Sequence, residues 1–392
     1  MKILYHHRIA SKDGQYVHVE EIVNAMRELG HEVIVIGPRV AEKAKFGAGG
    51  GWMSTLRRYL PGFLAELLEF SYSFYAFMLL VIAMVKHRPD AIYERYNLFM
   101  PAGIWAKKCF AVPLVLEINS PLFAERSQYG GLSLNGLARW SEHYVWKNAS
   151  HCCPVTQVLA GYLYEAGVSP DKVTVIANGI NPKQFYPRTV ERSDDKAAPL
   201  FAGKLVLGFV GFCREWHRLD ELLEQIAHYP DKNWQLLIVG DGPARAMLEQ
   251  KAFALNCKDN LYITGLVARE EMPSWLERID IALQPAVTPW SSPLKLLEYL
   301  AKGKVIIAPN APNIAELLTD GDNALLYDSD KPLSLLTCLE RLSEDKALRD
   351  KLAANAINTI TERQLTWIQN AKRITALMTH LQSTQIAIKE IH

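Results

Sequence analysis

The chain contains few cysteines, and their spacing matches neither a metal site nor a redox motif. There are six among 392 residues, and the only close pair, Cys152 and Cys153, is adjacent within an apolar run. A zinc or redox site would bring cysteines or histidines to a short, regular spacing such as CxxC, which the sequence lacks. We therefore predict reduced thiols, a cytoplasmic location and no bound metal.

The chain also lacks an excess of charge, a dinucleotide fingerprint and a secretion leader. Lysine and arginine number 43 and aspartate and glutamate 42, a formal net charge of +1, whereas a nucleic-acid-binding protein normally carries a basic excess. The absence of GxGxxG disfavours a nicotinamide or flavin enzyme. The first residues, MKILYHHRI, indicate a strand rather than a charged leader, so we expect no export.

No uninterrupted run of apolar residues is long enough to cross a bilayer. The stretch from Phe63 to Val85 comes close, but Glu66 and Glu69 interrupt its first half. The segment that follows, RPDAIYERYN, has the pattern of the next strand of a sheet. A spanning helix would then divide one domain between the two sides of a membrane. We predict instead a pair of helices within residues 41–87 that does not span.

Two interpretations of this helix pair remain open. Its apolar side chains either cover the sheet or rest on an anionic membrane surface within residues 52–85. The second interpretation relies on an aromatic and leucine face with two basic residues: Trp52, Tyr59, Leu60 and Phe63, with Arg57 and Arg58. It predicts a location on the inner face of the cytoplasmic membrane.

Short β-branched runs alternate with helical patterns along almost the whole chain. This alternation predicts an α/β fold with parallel strands, covered on both faces, in two Rossmann-like doubly wound domains with a cleft between them. We place the first domain at residues 1–185, a polar, proline-bearing linker at 186–203 and the second domain at 204–365. Residues 366–392 form a C-terminal helix that we expect to pack back on the first domain.

The segment from Ile279 to Asn310 predicts a compact strand–helix–strand unit. We expect Ser291 and Ser292 to cap the helix, Pro293 to occupy its first turn and Gly303 to end it. The amides of the first turn can hold a phosphate. Glu298 could then reach a hydroxyl next to that phosphate. Alternatively, Glu298 is a solvated residue that pairs with Lys302 or Lys295.

Several ordered motifs resemble the retaining glycosyltransferases of the large family-four type, which have two facing Rossmann-like domains. These motifs are GHEVIVIG, VTVIANGINPKQFYP, LLIVGDGPARAMLE, LYITGLV and SPLKLLEYLAKGKVIIA, and together they cover almost the whole chain. Each motif is short and weak alone, but their order and spacing are specific.

The resemblance implies a nucleoside-diphosphate sugar donor, such as a UDP- or GDP-sugar, held mainly by the second domain. Glu298 matches the family glutamate that binds the donor ribose, and the amides of Ser292 to Lys295 match the turn that holds the diphosphate. The implied donor-binding set is Gly14, Phe212, His217, Gly265, Leu266, Val267, Trp290, Ser291, Ser292, Pro293 and Leu294. The implied catalytic set is Glu298, Arg214, Lys295 and Asn119.

Three departures from the family pattern involve four positions. Trp290 occupies the place of a second glutamate that contacts the sugar, and Asn119 that of an active-site histidine. The arginine and lysine expected after the first strand of the second domain fall on Phe212 and His217, although Arg214 is close enough to substitute. On the acceptor side, His7, Glu94, Arg95 and Glu117 end strands of the first domain; a mutual salt bridge is the alternative for these charged residues.

The leading hypothesis is a glycosyltransferase that moves a sugar to a saccharide or lipid-linked acceptor with retention of configuration, in cell-surface polysaccharide or glycolipid synthesis. Two alternatives remain: an epimerase of the same fold, and a non-catalytic nucleotide-sugar-binding subunit. The second alternative arises from the departures at Trp290, Phe212 and Asn119.

Overall fold

The computed structural model describes residues 1–10, 14–38, 60–185, 201–331 and 333–391. It divides into two compact units. The N-terminal unit comprises Met1–Asn178, Trp290–Ser292 and Trp367–His392, and the C-terminal unit comprises Gly179–Pro289 and Pro293–Thr366. The first boundary therefore lies at residue 178 rather than 185. Most of the predicted linker, 186–200, lies outside the described residues.

The sheet of the N-terminal unit has five parallel strands in the order β2-β1-β3-β4-β5. They are β1 (Lys2–His6), β2 (Glu32–Ile36), β3 (Ala91–Arg95), β4 (Leu114–Ile118) and β5 (His151–Pro154). Strands β3 and β4 are buried at every position, as expected for parallel strands with helices on both faces. The predicted doubly wound α/β fold is confirmed.

One predicted strand, the run KVTVIANGI, does not form. Only Thr174 and Ile176 donate amide hydrogen bonds to β5, to the carbonyls of Cys152 and Pro154. Val173 forms an isolated bridge with Cys152. The run follows the edge of the sheet without a full ladder, so its β-branched residues give a strand pattern without a strand.

Before the first boundary, the described part of the chain contains six helices. They are α1 (Gly14–Glu28), α2 (Gly62–His87), α3 (Ala102–Phe110), α4 (Leu122–Tyr129), α5 (Asn135–Asn148) and α6 (Gln157–Glu165). Helix α2 is one continuous helix of 26 residues, and the part of the predicted helix pair that precedes residue 60 lies outside the described residues. It is also the one described helix that is long and apolar enough to cross a membrane by length and composition. The predicted contacts Trp52, Arg57, Arg58 and Tyr59 lie outside the described residues.

The sheet of the C-terminal unit has six parallel strands in the order β11-β10-β9-β6-β7-β8. They are β6 (Leu205–Val210), β7 (Trp234–Val239), β8 (Leu261–Ile263), β9 (Ile281–Leu283), β10 (Val305–Pro309) and β11 (Leu325–Tyr327). The strand order reverses between β6 and β9. In such sheets ligands bind at the carboxyl ends of the strands beside this switch point.

Eight helices of the C-terminal unit lie in the described residues. They are α7 (Pro182–Phe185), α8 (Leu219–His228), α9 (Arg245–Ala254), α10 (Met272–Glu277), α11 (Leu294–Ala301), α12 (Pro312–Ala315), α13 (Ser334–Glu344) and α14 (Lys346–Glu362). Helix α11 connects β9 to β10, which lie side by side as the sequence predicted. Its first turn therefore follows a strand at the switch point.

The last helix, α15 (Trp367–Ile391), belongs to the N-terminal unit, where it packs against α1. The Trp367 indole lies 4.7 Å from the His18 ring, measured between centroids. Asn370 donates to the carbonyl of Ala177 at 2.7 Å. The chain thus returns to its first sheet after completing the second.

Candidate functional site

The loops that follow β6 and β7 are joined by backbone hydrogen bonds. The amide of Gly211 donates to Val239 at 2.9 Å, and the amide of Cys213 donates to Asp241 at 2.8 Å. A Cβ atom on Gly240 would collide with the Gly211 carbonyl, and φ at Gly240 is 145°, so this position requires glycine. The first glycine of the GDGP motif therefore allows the loops after β6 and β7 to lie close together.

Helix α11 is fixed to the end of β6 by a buried tyrosine. The hydroxyl of Tyr299 accepts the amide of Val210 at 2.9 Å. Gly303 ends the helix with φ at 60°, as predicted. Pro293 lies at the N-cap position and Leu294 is the first helical residue. The first-turn amides, including those of Leu294 and Lys295, have no acceptor within the helix and carry the positive end of its dipole.

Lys295 directs its ammonium group toward the end of β6. The Nζ atom lies 3.9 Å from the centroid of the Phe209 ring. It would lie 3.4 Å from a Cβ atom placed on Gly211. Burial lowers the pKa of Lys295 to about 7, while the charges of Glu298 and Cys213 oppose this change. An anion bound beside Gly211 would favour the charged form.

His217 lies next to this lysine as a neutral ring. Burial and then the charge of Lys295 lower the pKa of His217 to about 3. Its Nδ1 accepts the amide of Arg214 at 3.0 Å, so the ring hydrogen is on Nε2. The exposed guanidinium of Arg214 lies 5.2 Å from the Phe212 ring centroid, and Phe212 is itself exposed. The end of β6 therefore has two cations near it, Lys295 and Arg214, and one neutral donor, His217.

Glu298 is one turn further along α11 than Lys295. Although the residue keeps part of its surface exposed, desolvation raises the pKa of its carboxyl to about 7, opposed by the charges of Arg269 and Lys295. Lys302, the proposed i+4 partner, instead contacts Glu277 at 2.7 Å. A half-buried carboxyl with a raised pKa is more typical of a functional residue than of a solvated surface glutamate.

The segment after β8 contributes the remaining residues of the C-terminal unit. Gly265 has φ at 74°, a conformation that favours glycine, and a Cβ there would lie 3.6 Å from the Arg245 guanidinium. Leu266 is 49% exposed, and Val267 follows it. Arg245 lies 3.5 Å from Asp241 in the loop after β7. Backbone and side chains from three strand ends therefore meet at this edge of the sheet.

Trp290, Ser291 and Ser292 belong to the N-terminal unit, which corrects two predictions. The Trp290 side chain is 4% exposed and lies in the apolar core with Tyr162 beside it, so it does not line a donor site. Ser292 is buried, and its hydroxyl accepts the amide of Asn178 at 3.3 Å. The predicted serine caps of α11 are wrong, because no side chain caps this helix. Ser291 is partly exposed.

In the N-terminal unit, Glu117 lies at the centre of a buried network of donors. Its Oε1 accepts from Arg95 at 2.5 Å and from Asn119 at 2.6 Å. Its Oε2 accepts from Tyr93 at 3.0 Å and lies 3.0 Å from His18 Nε2. Burial alone would raise the pKa of Glu117, but His18 and Arg95 lower it well below its usual value.

This network corrects the acceptor-side prediction. The Arg95 and Glu117 side chains are buried and bind each other, which is the salt-bridge alternative stated above. Asn119 is partly exposed, but its amide nitrogen is committed to Glu117. A catalytic role for Asn119 would therefore have to use its carbonyl oxygen.

The other first-strand residues are also buried. His6 Nδ1 lies 2.6 Å from Glu94 Oε2, so Glu94 is committed within the unit. The His7 ring is 4% exposed and its Nδ1 accepts the amide of Ile9. Burial and the neighbouring charges of His6 and Arg95 lower the pKa of His7 to about 4. Gly14 is the first residue of α1 and is exposed, rather than part of a preceding loop.

Sequence reasoning missed three residues that shape these clusters. Tyr299 fixes the position of α11, Arg269 is the largest charge opposing desolvation of Glu298, and His18 supplies a donor to Glu117. Tyr299 follows Lys295 by four residues and so lies on the same side of α11, and nothing in the sequence indicates the partner of its hydroxyl. Nothing in the sequence places Arg269 or His18, which lie far along the chain from Glu298 and Glu117, the carboxylates whose pKa values they lower.

Two family models match the chain and together cover most of it. The model described as glycosyl transferases group 1 matches residues 190–359, and the model described as glycosyl transferase 4-like domain matches residues 13–179. The alpha-D-kanosaminyltransferase of Streptomyces kanamyceticus is 27% identical over 255 residues, which cover 64% of this chain and 66% of that protein. The chain spans 58% and 66% of the length of the first curated relatives that it matches.

Solved structures share the fold at low sequence identity. HepE of Anabaena, solved in complex with UDP, is 18% identical with a TM-score of 0.76 over 97% of this chain and 100% of its own. A sucrose-phosphate synthase from Thermosynechococcus elongatus is 17% identical with a TM-score of 0.76 over 98% of this chain and 100% of its own. At these identities the likeness establishes the arrangement of the chain and not the substrate.

Proposed function

Because the chain belongs to the group 1 and 4-like glycosyltransferases, we propose that it transfers a sugar from a nucleoside-diphosphate sugar, with retention of configuration. The acceptor is a saccharide or a lipid-linked saccharide. The reaction belongs to cell-surface polysaccharide or glycolipid synthesis. It takes place in the cytoplasm, at the inner face of the cytoplasmic membrane.

The observation that carries the proposal is the pairing of Lys295 and Glu298 on successive turns of α11 at the switch point. Departure of a nucleoside diphosphate builds negative charge on its phosphate oxygens. The ammonium of Lys295 beside Gly211 and the first-turn amides of α11 are arranged to stabilise that charge. A bound diphosphate raises the pKa of Lys295 from about 7 and so charges it.

The other residues of this edge have supporting roles. Glu298 accepts a hydrogen bond from a ribose hydroxyl. Neutral His217 offers its Nε2 hydrogen, and the exposed guanidinium of Arg214 adds a second cation. The segment Gly265 to Val267 contacts the base. Since lysine, arginine and helix amides supply the positive charge, we propose that transfer needs neither a cofactor nor a bound metal.

Relatives and neighbours agree with a nucleotide-sugar donor. HepE of Anabaena has been solved with UDP and with UDP-glucose, which makes UDP the first nucleotide to test. The curated relative from Streptomyces kanamyceticus is a kanosaminyltransferase by name. The acceptor is proposed to be membrane-proximal because of the apolar helix α2, the described part of the predicted contact region 52–85.

Donor binding and transfer are tested in two steps. Thermal shift with UDP, GDP and ADP should identify one stabilising nucleotide, and Glu298→Gln should reduce that shift. The matching labelled nucleotide sugar is then incubated with the protein and a membrane extract. Label in extracted lipid or saccharide supports transfer. An altered free nucleotide sugar would instead indicate rearrangement, and binding without turnover a non-catalytic subunit; either result overturns the proposal.

A further inference from the structure

One side of α2 carries a continuous row of exposed apolar side chains. Half of the large hydrophobic side chains that are exposed in the described residues lie on this helix. Met78, Ile82 and Val85 are 64%, 59% and 63% exposed. The full row, at helical spacing, is Phe63, Leu64, Leu67, Leu68, Phe74, Tyr75, Met78, Ile82 and Val85. Exposed apolar patches of this extent mark interaction surfaces.

The opposite side of α2 is fixed to the N-terminal unit. Glu69 contacts Arg8 at 3.0 Å and Arg126 at 3.0 Å. Glu66 accepts the amides of Ser133 and Leu134, where α5 begins. Buried residues continue to the C-terminal end of α2, including Ala76, Leu80 and Met84. The helix therefore cannot cross a bilayer without breaking buried ion pairs and the core.

Aromatic rings of α3 and α5 extend the apolar row. Phe74 packs on Trp105 at 5.3 Å between ring centroids, and Phe70 packs on Trp140 at 6.2 Å. Trp140 is 47% exposed and stacks on Tyr144 at 5.2 Å. Tryptophan and tyrosine combine an apolar ring with a polar group and favour the region of lipid headgroups.

The exposed charges on these three helices have one sign. Helices α2, α3 and α5 contain three acidic residues, Glu66, Glu69 and Glu142, and all are buried. Their exposed charged residues are all basic: Lys86, Lys108, Arg139 and Lys147. Lys108 donates to the Tyr144 hydroxyl at 3.2 Å, which places a cation beside the aromatic rings. This segregation contrasts with the net charge of +1 for the whole chain.

We infer that the exposed faces of α2, α3 and α5 form one docking surface for an anionic membrane. Helix α2 lies in the plane of the interface with its apolar row among the acyl chains. Trp140 and Tyr144 lie at the headgroups, and the basic residues contact lipid phosphates. The inference rests on the proposed function only in assuming a membrane-proximal acceptor; the surface itself is defined by exposure and charge.

Flotation of the full-length protein with vesicles tests the surface. Vesicles of phosphatidylcholine alone are compared with vesicles that also contain phosphatidylglycerol, and binding should be far stronger to the second kind. Met78→Ser combined with Ile82→Ser should weaken binding to both kinds at least tenfold, because two exposed apolar groups no longer enter the lipid. Lys108→Ser combined with Lys147→Ser should weaken binding to anionic vesicles roughly thirty-fold, or about 1 kcal/mol for each lysine.

Matched changes elsewhere should leave flotation unchanged. Phe253 is 75% exposed on α9, and Lys258 is exposed in the same unit, so Phe253→Ser and Lys258→Ser serve as controls. Circular dichroism checks folding, which these exposed substitutions should preserve. If wild-type protein stays in solution with both vesicles, or if Phe253→Ser reduces flotation as much as the α2 change, the inference is wrong.

Two further readouts separate this inference from other outcomes. Light scattering that shows a dimer dispersed by the Met78 and Ile82 changes, without vesicle binding, would assign the surface to a second copy of the chain and overturn the inference. UDP binding, measured without vesicles, should be unchanged in every variant. If the wild type binds none of UDP, GDP and ADP, the proposed function is contradicted while the flotation result stands.

Discussion

Replacement of Glu298 by glutamine should change stability and donor binding in opposite directions. The substitution keeps the size and much of the hydrogen-bonding capacity of the side chain but removes the charge. In the free protein that charge is unfavourable, because desolvation raises the pKa of Glu298 from 4.5 to about 7. In the proposed complex the carboxylate accepts a hydrogen bond from ribose, so removal of the charge should weaken donor binding.

The stability effect follows from proton linkage. Between pH 4.5 and about 7 the folded carboxyl holds a proton that the unfolded one has released. Wild-type stability therefore falls as pH rises through this window, by up to about 3 kcal/mol for a shift near 2.5 pKa units. The glutamine variant should keep its stability across this window, because its side chain does not titrate. The variant should match the wild type near pH 4.5 and exceed its free energy of unfolding above pH 7.

The binding effect is worked from the lost contact. A hydrogen bond to a charged acceptor contributes about 1.5 to 3 kcal/mol, so the nucleotide should bind roughly 10- to 150-fold more weakly. Titration calorimetry with the nucleotide chosen by thermal shift measures the affinity. Urea unfolding across the same pH range measures the stability. Glu344→Gln, on an exposed helix position, is the matched control.

Two results would refute this reasoning. Unchanged nucleotide affinity in Glu298→Gln would make the residue an ordinary helix glutamate. A variant that is less stable than the wild type above pH 7 would mean that the carboxylate is stabilised in the folded protein, contrary to the desolvation argued here.

Three other substitutions test single features of the two units. Lys295→Met should weaken UDP binding and remove the fall in affinity above pH 7. In the wild type, affinity should fall above pH 7 by up to about tenfold per pH unit, as the lysine loses its proton; a wild-type affinity that does not fall above pH 7 in calorimetry would contradict this. Trp290→Ala should lower the free energy of unfolding by about 3 to 5 kcal/mol, because it leaves a cavity in the N-terminal core; a stable variant with altered donor preference would restore a donor role. Glu117→Gln should destabilise by about 3 to 5 kcal/mol, since Arg95 stays buried without its partner, and a denaturation curve that superimposes on the wild type would refute the network.

The sequence was sufficient to predict the layered fold because each buried strand has a continuous apolar pattern. The β-branched runs, Pro293 and Gly303 correctly indicate strands β9 and β10 and the helix between them, whereas the predicted serine caps do not form. The run KVTVIANGI has the same composition without the same partners. Whether a β-branched run forms a full ladder depends on its neighbours in space, which periodicity does not encode.

The candidate site could be predicted in part. The family resemblance implies roles for Glu298 and Lys295, whereas their position in the sequence alone leaves a solvated surface glutamate open. The structure adds the cause of their altered pKa values, which is burial at the switch point. The acceptor-side residues could not be resolved, because polar residues at strand ends look alike in sequence whether they face a ligand or each other. Glu117 and Arg95, for example, bind each other although they are 22 positions apart in the sequence.

The path of the chain has a consequence for dividing this protein. The N-terminal unit is assembled from three separate segments, and its last helix begins only at Trp367. A fragment that stops at residue 185 would therefore expose the side of α1 that α15 covers and leave the place of the Trp290 indole empty. Neither lobe can be obtained by cutting the gene once. A soluble half would need the last 26 residues supplied again, as a fused or separately added peptide.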